Sequence, residues 1–352
     1  MKSNRLSGVI LLLGFAAAGQ AGTLTLGAAV GFNVFVFSDF SGSGTDAQGK
    51  MAVGGNFAPA GGGGFTIASG LSDPKTAYDL VVGGNFTDSG YTMNSGSAYV
   101  AGNMTWTSPT IAHNAYVGGS FTDTGGGSVG GISYVGAYNG PSGLKHSHIK
   151  SLPKAPIDFA SAQTSLTSLS SSLAGDAANG TVNLSYSTYT LTGTDANLNV
   201  FDMAGAGISG TTINISAPSG STVVVNVSGS SVSFNGGSIN YSGGITQNNV
   251  IFNFDTASAL TLNSIGFNGS ILAPNANFTG VYGDIDGQLI ADTATGTTEF
   301  HNVLFTGNLG NIVSATPEPG TWASLGAGCL LFAGLLFKRR GGIAAPRKPL
   351  LT

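Results

Sequence analysis

A six-residue pattern runs through the first half of the chain, apolar, then glycine, then polar, then aromatic or methionine. Its copies are Ala52-Val53-Gly54-Gly55-Asn56-Phe57, Val81-Val82-Gly83-Gly84-Asn85-Phe86, Tyr99-Val100-Ala101-Gly102-Asn103-Met104 and Tyr116-Val117-Gly118-Gly119-Ser120-Phe121, with a shortened Tyr134-Val135-Gly136 at the end. The valines step by 29, 18, 17 and 18 residues. A period that short, with no helix-forming sequence between copies, predicts a β-solenoid in which each copy is one coil. The longer first step implies a loop around Asp73-Pro74-Lys75. Alternation along a strand then puts Val53, Val82, Val100, Val117 and Val135 in one interior column and Phe57, Phe86, Met104 and Phe121 in a second. Asn56, Asn85 and Asn103 fall on the opposite parity and are expected to form an outward or corner ladder, next to turn sequences such as Thr87-Asp88-Ser89-Gly90 and Thr122-Asp123-Thr124-Gly125.

After a break at 141–156 the period changes. Phe159, Ala162, Leu166, Leu169 and Leu173 recur at helical steps, with Asp158 as N-cap and Gly175 as C-cap, which predicts an amphipathic helix over 158–174 lying along the side of the solenoid. Strands are expected again over 182–191, 211–216, 222–227, 231–234 and 250–254. Gly269-Ser270-Ile271-Leu272-Ala273 returns 18 residues later as Gly287-Gln288-Leu289-Ile290-Ala291, the period of the first half. The expected fold is therefore mainly β, one continuous β-solenoid (β-helix) over 22–315 with an inserted loop and helix at about 141–175.

The two ends carry a different pattern. Lys2 and Arg5, the apolar stretch 6–18 and Gly19-Gln20-Ala21 read as a signal peptide over 1–21, cleaved after Ala21 by the secretory route through the Sec translocon. Thr316-Pro317-Glu318-Pro319-Gly320-Thr321-Trp322 precedes an apolar run over 323–337 and then Lys338-Arg339-Arg340. Fifteen helical residues reach roughly 22 Å, which spans a bilayer core of about 30 Å with local thinning and snorkelling basic flanks. Residues 316–340 are thus expected to hold a transmembrane helix, and 341–352 a basic cytoplasmic tail.

Charge sharpens the reading. Fifteen acids between Asp39 and Glu299 face five lysines (Lys50, Lys75, Lys145, Lys150 and Lys154) and no arginine, so nucleic acid and anionic lipid are excluded as partners of the body. Cys329 is the sole cysteine, which excludes an intrachain disulfide and a cysteine metal cluster. His146-Ser147-His148 lacks a third ligand and reads as a solvated basic loop, and Asp284-Ile285-Asp286 lacks calcium-loop spacing and reads as a turn. The Gly-Gly-Asn series has no basic residue at phosphate-loop spacing and reads as a solenoid corner. Tyr91, Trp106, Tyr116, Tyr134 and Tyr138 read as packing residues rather than a sugar platform. No catalytic, cofactor or metal set is expected. A polysaccharide lyase would need a strong cationic group that the body supplies poorly. Thr211-Thr212 and Thr297-Thr298 permit binding of ice or crystalline glycan, yet no regular Thr-x-Thr ladder appears at coil spacing.

Two resemblances follow from these residues. Pro317, Glu318 and Pro319, the apolar run and Lys338, Arg339 and Arg340 resemble the PEP-CTERM sorting signal, with 341–352 longer than usual. This implies cleavage near the motif by an exosortase. It also implies an inner-membrane-anchored precursor and delivery to the cell surface or extracellular matrix of a Gram-negative bacterium. Leu26-Gly27, Phe32-Asn33-Val34-Phe35, Asp46-Ala47-Gln48-Gly49-Lys50, the Val-Gly-Gly-Asn copies, the helix and the 269–274 and 287–291 pair resemble the choice-of-anchor A adhesive-domain family over about 24–310. The closing pattern is also similar to ice-binding-type β-solenoids. What the resemblance implies is a non-enzymatic adhesin acting in surface attachment or biofilm, with exopolysaccharide or another surface ligand as partner; a binder of ordered surfaces is the alternative.

Overall fold

The computed structural model describes residues 25–311 except 60–63 and 90–91. The signal segment with Ala21, Tyr91, the 316–340 segment with its sorting motif, Cys329 and the tail 341–352 lie outside the described residues. Among the described residues the chain is mainly β, with a 23-stranded sheet, a 4-stranded sheet and one α-helix, Phe159–Gly175. No helix among them is long and apolar enough to cross a membrane.

Each coil supplies up to three short strands, for example Phe32–Val36, Phe40–Gly42 and Thr45–Ala47, and equivalent strands stack in parallel. One face is buried on both sides, so its strands read as unbroken apolar runs rather than alternating ones. In Val223-Val224-Val225, Ile271-Leu272-Ala273 and Leu289-Ile290-Ala291 the outer two residues of each run point into the solenoid interior. The middle one joins Phe35, Ala52 and Ile251 in a second core against the helix. The helix closes that core with Ala162, Leu166, Leu169 and Leu173. Burying each leucine contributes about 1.5–3 kcal/mol, which explains why an amphipathic helix settles along this flank. Asp158 caps it by accepting from Ser161 N, and the C-cap is Asp176 rather than Gly175.

Coils do not stack in chain order. The first strand, Phe32–Val36, sits between Lys50–Val53 and Leu289–Gly296, with Val34 opposite both Met51 and Leu289. The N-terminal half thus starts in mid-stack and runs outward through Tyr78–Val82, Ser97–Val100, Ala115–Asp123 and Ser133–Asn139 to His146–His148. The C-terminal half begins at the other end and returns through Leu198–Ala204, Thr222–Ser228, Val250–Asn253 and Ser270–Asp286 to meet the first strand. Polar side chains seal this seam. Asn33 donates to Gly287 O (2.9 Å) and His301 O (2.8 Å) and accepts from Gly49 N (3.2 Å), while Gln288 Nε2 donates to Ala29 O at 3.0 Å. The expected strand 182–191 is instead an antiparallel hairpin, Thr181–Ser185 with Thr188–Thr192, because Tyr186 adopts φ +51° and turns the chain back.

Val53, Val82, Val100, Val117, Val135, Phe57, Phe86, Met104 and Phe121 are all fully buried in the main interior core. Asn56, Asn85 and Asn103 build a corner ladder: each side-chain oxygen accepts from the backbone N–H one coil on, at Asn85 (3.0 Å), Asn103 (2.9 Å) and Ser120 (2.9 Å). The glycines beside them are required by close approach. A Cβ on Gly83 would lie 2.3 Å from Gly54 O, so only a hydrogen fits where one coil rests on the next.

Candidate hydroxyl face

The second face of the solenoid displays a column of Ser, Thr and Asn side chains across both halves, interrupted only at Ala58. Register gives its rungs in order: Ser233, Thr261, Thr279 and Thr295, then across the seam Ser41, and then Ala58, Thr87, Thr105, Thr122 and Asn139. Each of these side chains is exposed or half-buried. Behind each lies an interior residue, Val232, Leu260, Phe278, Ala294, Phe40, Phe57, Phe86, Met104, Phe121 and Tyr138, since side chains alternate across a strand. A rigid apolar column therefore fixes the spacing of a polar one. Parallel strands set the rungs about 4.8 Å apart, and flanking positions two residues along a strand stand about 7 Å away. Thr107 and Thr124 flank the N-terminal half, their hydroxyls 2.8 Å apart, and Asn277 and Thr293 flank the C-terminal half at 2.8 Å. Ser41 Oγ donates to Thr295 Oγ1 at 2.9 Å, carrying the column across the seam. The result is a single, mostly hydroxyl column rather than a regular Thr-x-Thr ladder, since only Thr105/Thr107, Thr122/Thr124 and Thr293/Thr295 double its rungs, and the interleaved coil order joins its two halves at Thr295 and Ser41.

The other candidates fall elsewhere. His146 and His148 lie exposed at one end of the stack, where His146 stacks on Tyr138 with centroids 4.5 Å apart. Trp106 is buried, and Tyr116 and Tyr134 stack on each other at 4.9 Å. Lys50 lies 2.5 Å from Asp73 and 3.2 Å from the fully buried Asp79, a brace between the second and third coils of the N-terminal half. Burial alone would lower the Lys50 ammonium, but its contacts with Asp73 and Asp79 outweigh it and hold the group above its ordinary value.

Asp88 turns inward where the hydroxyl face meets the third face. Its Oδ1 accepts from Phe65 N (3.1 Å) and Ser89 N (2.8 Å), and its Oδ2 has no hydrogen-bond partner among the described residues. Burial pushes this carboxyl up to about 7, against the lowering effect of those two backbone donors.

Asp284 and Asp286 belong to the third face. There the structure joins them to His301, which sequence reading passed over; the strand Glu299–His301 pairs in register with them. His301 Nδ1 lies 2.7 Å from Asp286 Oδ1. Burial acts to lower the imidazole, while Asp286, Glu299 and Asp284 together hold it above its ordinary value.

Among solved structures, an ice binding protein from an Antarctic Biological Consortium is 13% identical with a TM-score of 0.36, the alignment covering 86% of this chain and 95% of that one. One from the Antarctic ascomycete Antarctomyces psychrotrophicus is 14% identical, TM-score 0.32, covering 82% and 100%. One from an Antarctic Flavobacteriaceae bacterium is 14% identical, TM-score 0.30, covering 81% and 99%. No curated protein matches this chain. The family model described as "Putative Ice-binding-like adhesive domain" matches residues 25–302, almost the whole described body. The chain belongs to that ice-binding-like adhesive family.

Proposed function

We propose that this chain is a non-enzymatic surface adhesin whose hydroxyl face grips an ordered, hydroxyl-presenting surface such as packed exopolysaccharide. The observation that carries the reading is the column from Ser233 to Asn139, continuous across the seam. Every rung but Ala58 offers a donor and acceptor at a spacing fixed by the backbone, so docking a repetitive surface orders few side chains and many weak hydrogen bonds add. Membership of an ice-binding-like adhesive family agrees with this. Ice is the second reading, favoured by the regularity of the same column. The terminal segments support export through the Sec translocon and exosortase sorting to the surface or matrix; deleting 316–340 is then expected to move the protein from the surface fraction to the medium or periplasm.

The test is adsorption of the purified chain to insoluble exopolysaccharide of the producing cells and to polycrystalline ice. Thr105→Lys and Thr279→Lys are expected to weaken adsorption at least tenfold. The thermal midpoint should hardly move, because both side chains reach solvent and surface substitutions rarely exceed about 0.5 kcal/mol. Thr190→Lys, exposed on the third face, serves as the control and is expected to adsorb normally. Adsorption to neither surface, or equal loss in the control, would overturn the proposal.

A further inference from the structure

Two adjoining strands of the third face place four ligating side chains in a rectangle, with Asp284 opposite Glu299 and Asp286 opposite His301. One oxygen of each aspartate and one ring nitrogen of His301 lie within 4.8 Å of one another, and all three residues are half-buried. Glu299 Oε1 lies beside this trio, 3.4 Å from His301 Nε2, on the other nitrogen of the ring from Asp286. An ordinary ion pair between protonated His301 and Asp286 accounts for their 2.7 Å contact. With Glu299 paired to the other ring nitrogen, Asp284 is the one carboxylate of the three without an ion pair among the described residues. Three anions converge on one imidazole, an excess of two negative charges even when the ring is protonated. Among the described residues no lysine forms an ion pair with any of them. On the side away from Glu299, Asp284 faces Gly266, which has no side chain to shield it.

We propose that Asp284, Asp286 and His301, with Glu299 beside them, bind a divalent metal ion of the zinc class. The donor set favours this class over calcium, which takes oxygen ligands in larger number, whereas one imidazole with two or three carboxylates suits a small ion at about 2.0–2.2 Å from each donor. Donors at such distances sit about 3.4 Å from one another around a tetrahedral centre, so the side chains need only rotate inward. The bound ion joins strand Glu299–His301 to the preceding coil. Glu299–His301 also pairs with the first coil at Ala47, so the ion fastens the C-terminal half beside the seam.

Isothermal titration of the full chain, stripped with chelator, tests this with Zn²⁺ and, by visible absorption, with Co²⁺. One ion per chain is expected, together with a raised thermal midpoint, since a ligand that binds the folded state stabilises it by mass action. His301→Gln and Asp284→Asn are each expected to weaken binding at least tenfold. Asp284→Asn leaves the His301–Asp286 contact in place, and circular dichroism on both variants separates lost binding from lost folding. His148→Gln, at the distant end of the stack, should bind as the parent does. Absence of binding, binding unchanged in the folded His301 variant, or an equal response to Ca²⁺ would overturn the assignment.

Discussion

Phe86→Ala is expected to lower the unfolding free energy by about 3–5 kcal/mol, read as a shift in the midpoint of urea denaturation. Phe86 is fully buried, stacked on Phe57 with centroids 4.8 Å apart and set against Trp106 at 4.9 Å. In many cores the surroundings relax into a deleted ring and recover part of the loss. A solenoid has little freedom to do so. The backbone of each coil is hydrogen-bonded to the coils on either side, and those bonds fix the spacing between Phe57, Phe86 and Met104. The void persists, and the cost falls at the upper end of the range for aromatic truncation. A loss below about 1 kcal/mol would mean that the column carries no packing load.

Asp88→Asn should produce the second large effect, with a pH dependence that identifies its cause. An unfolded Asp88 releases its proton near 3.8, whereas the folded carboxyl holds it to about 7. Between those values the folded state binds the extra proton, so the contribution of Asp88 to stability declines as pH rises from about 4 to about 7 and is constant beyond. At about 1.4 kcal/mol per pH unit the ionised carboxylate lowers stability by at most about 4 kcal/mol at pH 8. Asparagine keeps an oxygen to accept from Phe65 N and Ser89 N without the charge. The variant should match the parent near pH 4 and exceed it by about 2–4 kcal/mol at pH 8. Parallel stability curves across that range would refute the assignment.

The interior columns can be read from sequence because their residues return at 17 or 18 positions through most of the first half, and one interior residue per strand is enough to show the period. The helix announces itself through its leucines and Asp158 for the same reason. The hydroxyl column does so only in part: Thr87, Thr105 and Thr122 return at the same 18 and 17 positions, but the rest of it does not. Its rungs are single Ser or Thr residues separated by 28, 18 and 16 positions in the C-terminal half, and the step from Thr295 to Ser41 runs backwards along the chain. One signal does exist, namely that each rung directly follows an interior residue, so a column of hydroxyls is implied wherever a column of phenylalanines is known. Applying it requires the coil order, and nothing local encodes that order. It depends on Phe32–Val36 pairing with a strand more than two hundred residues away. His301 escapes notice for a related reason, since only the pairing of Glu299–His301 with the 284–286 segment brings it to Asp286.

Cross-linking across the seam tests the interleaved coil order most directly. In a chain carrying Cys329→Ser, the substitutions Ser41→Cys and Thr295→Cys replace two hydroxyls that lie 2.9 Å apart, close to the geometry a disulfide needs. Mild oxidation of the folded protein should close this long loop, giving a faster-migrating band on a denaturing gel that reverts with reductant and does not form when urea precedes the oxidant. A folded chain that forms no such cross-link would show that the first coil does not rest on the last.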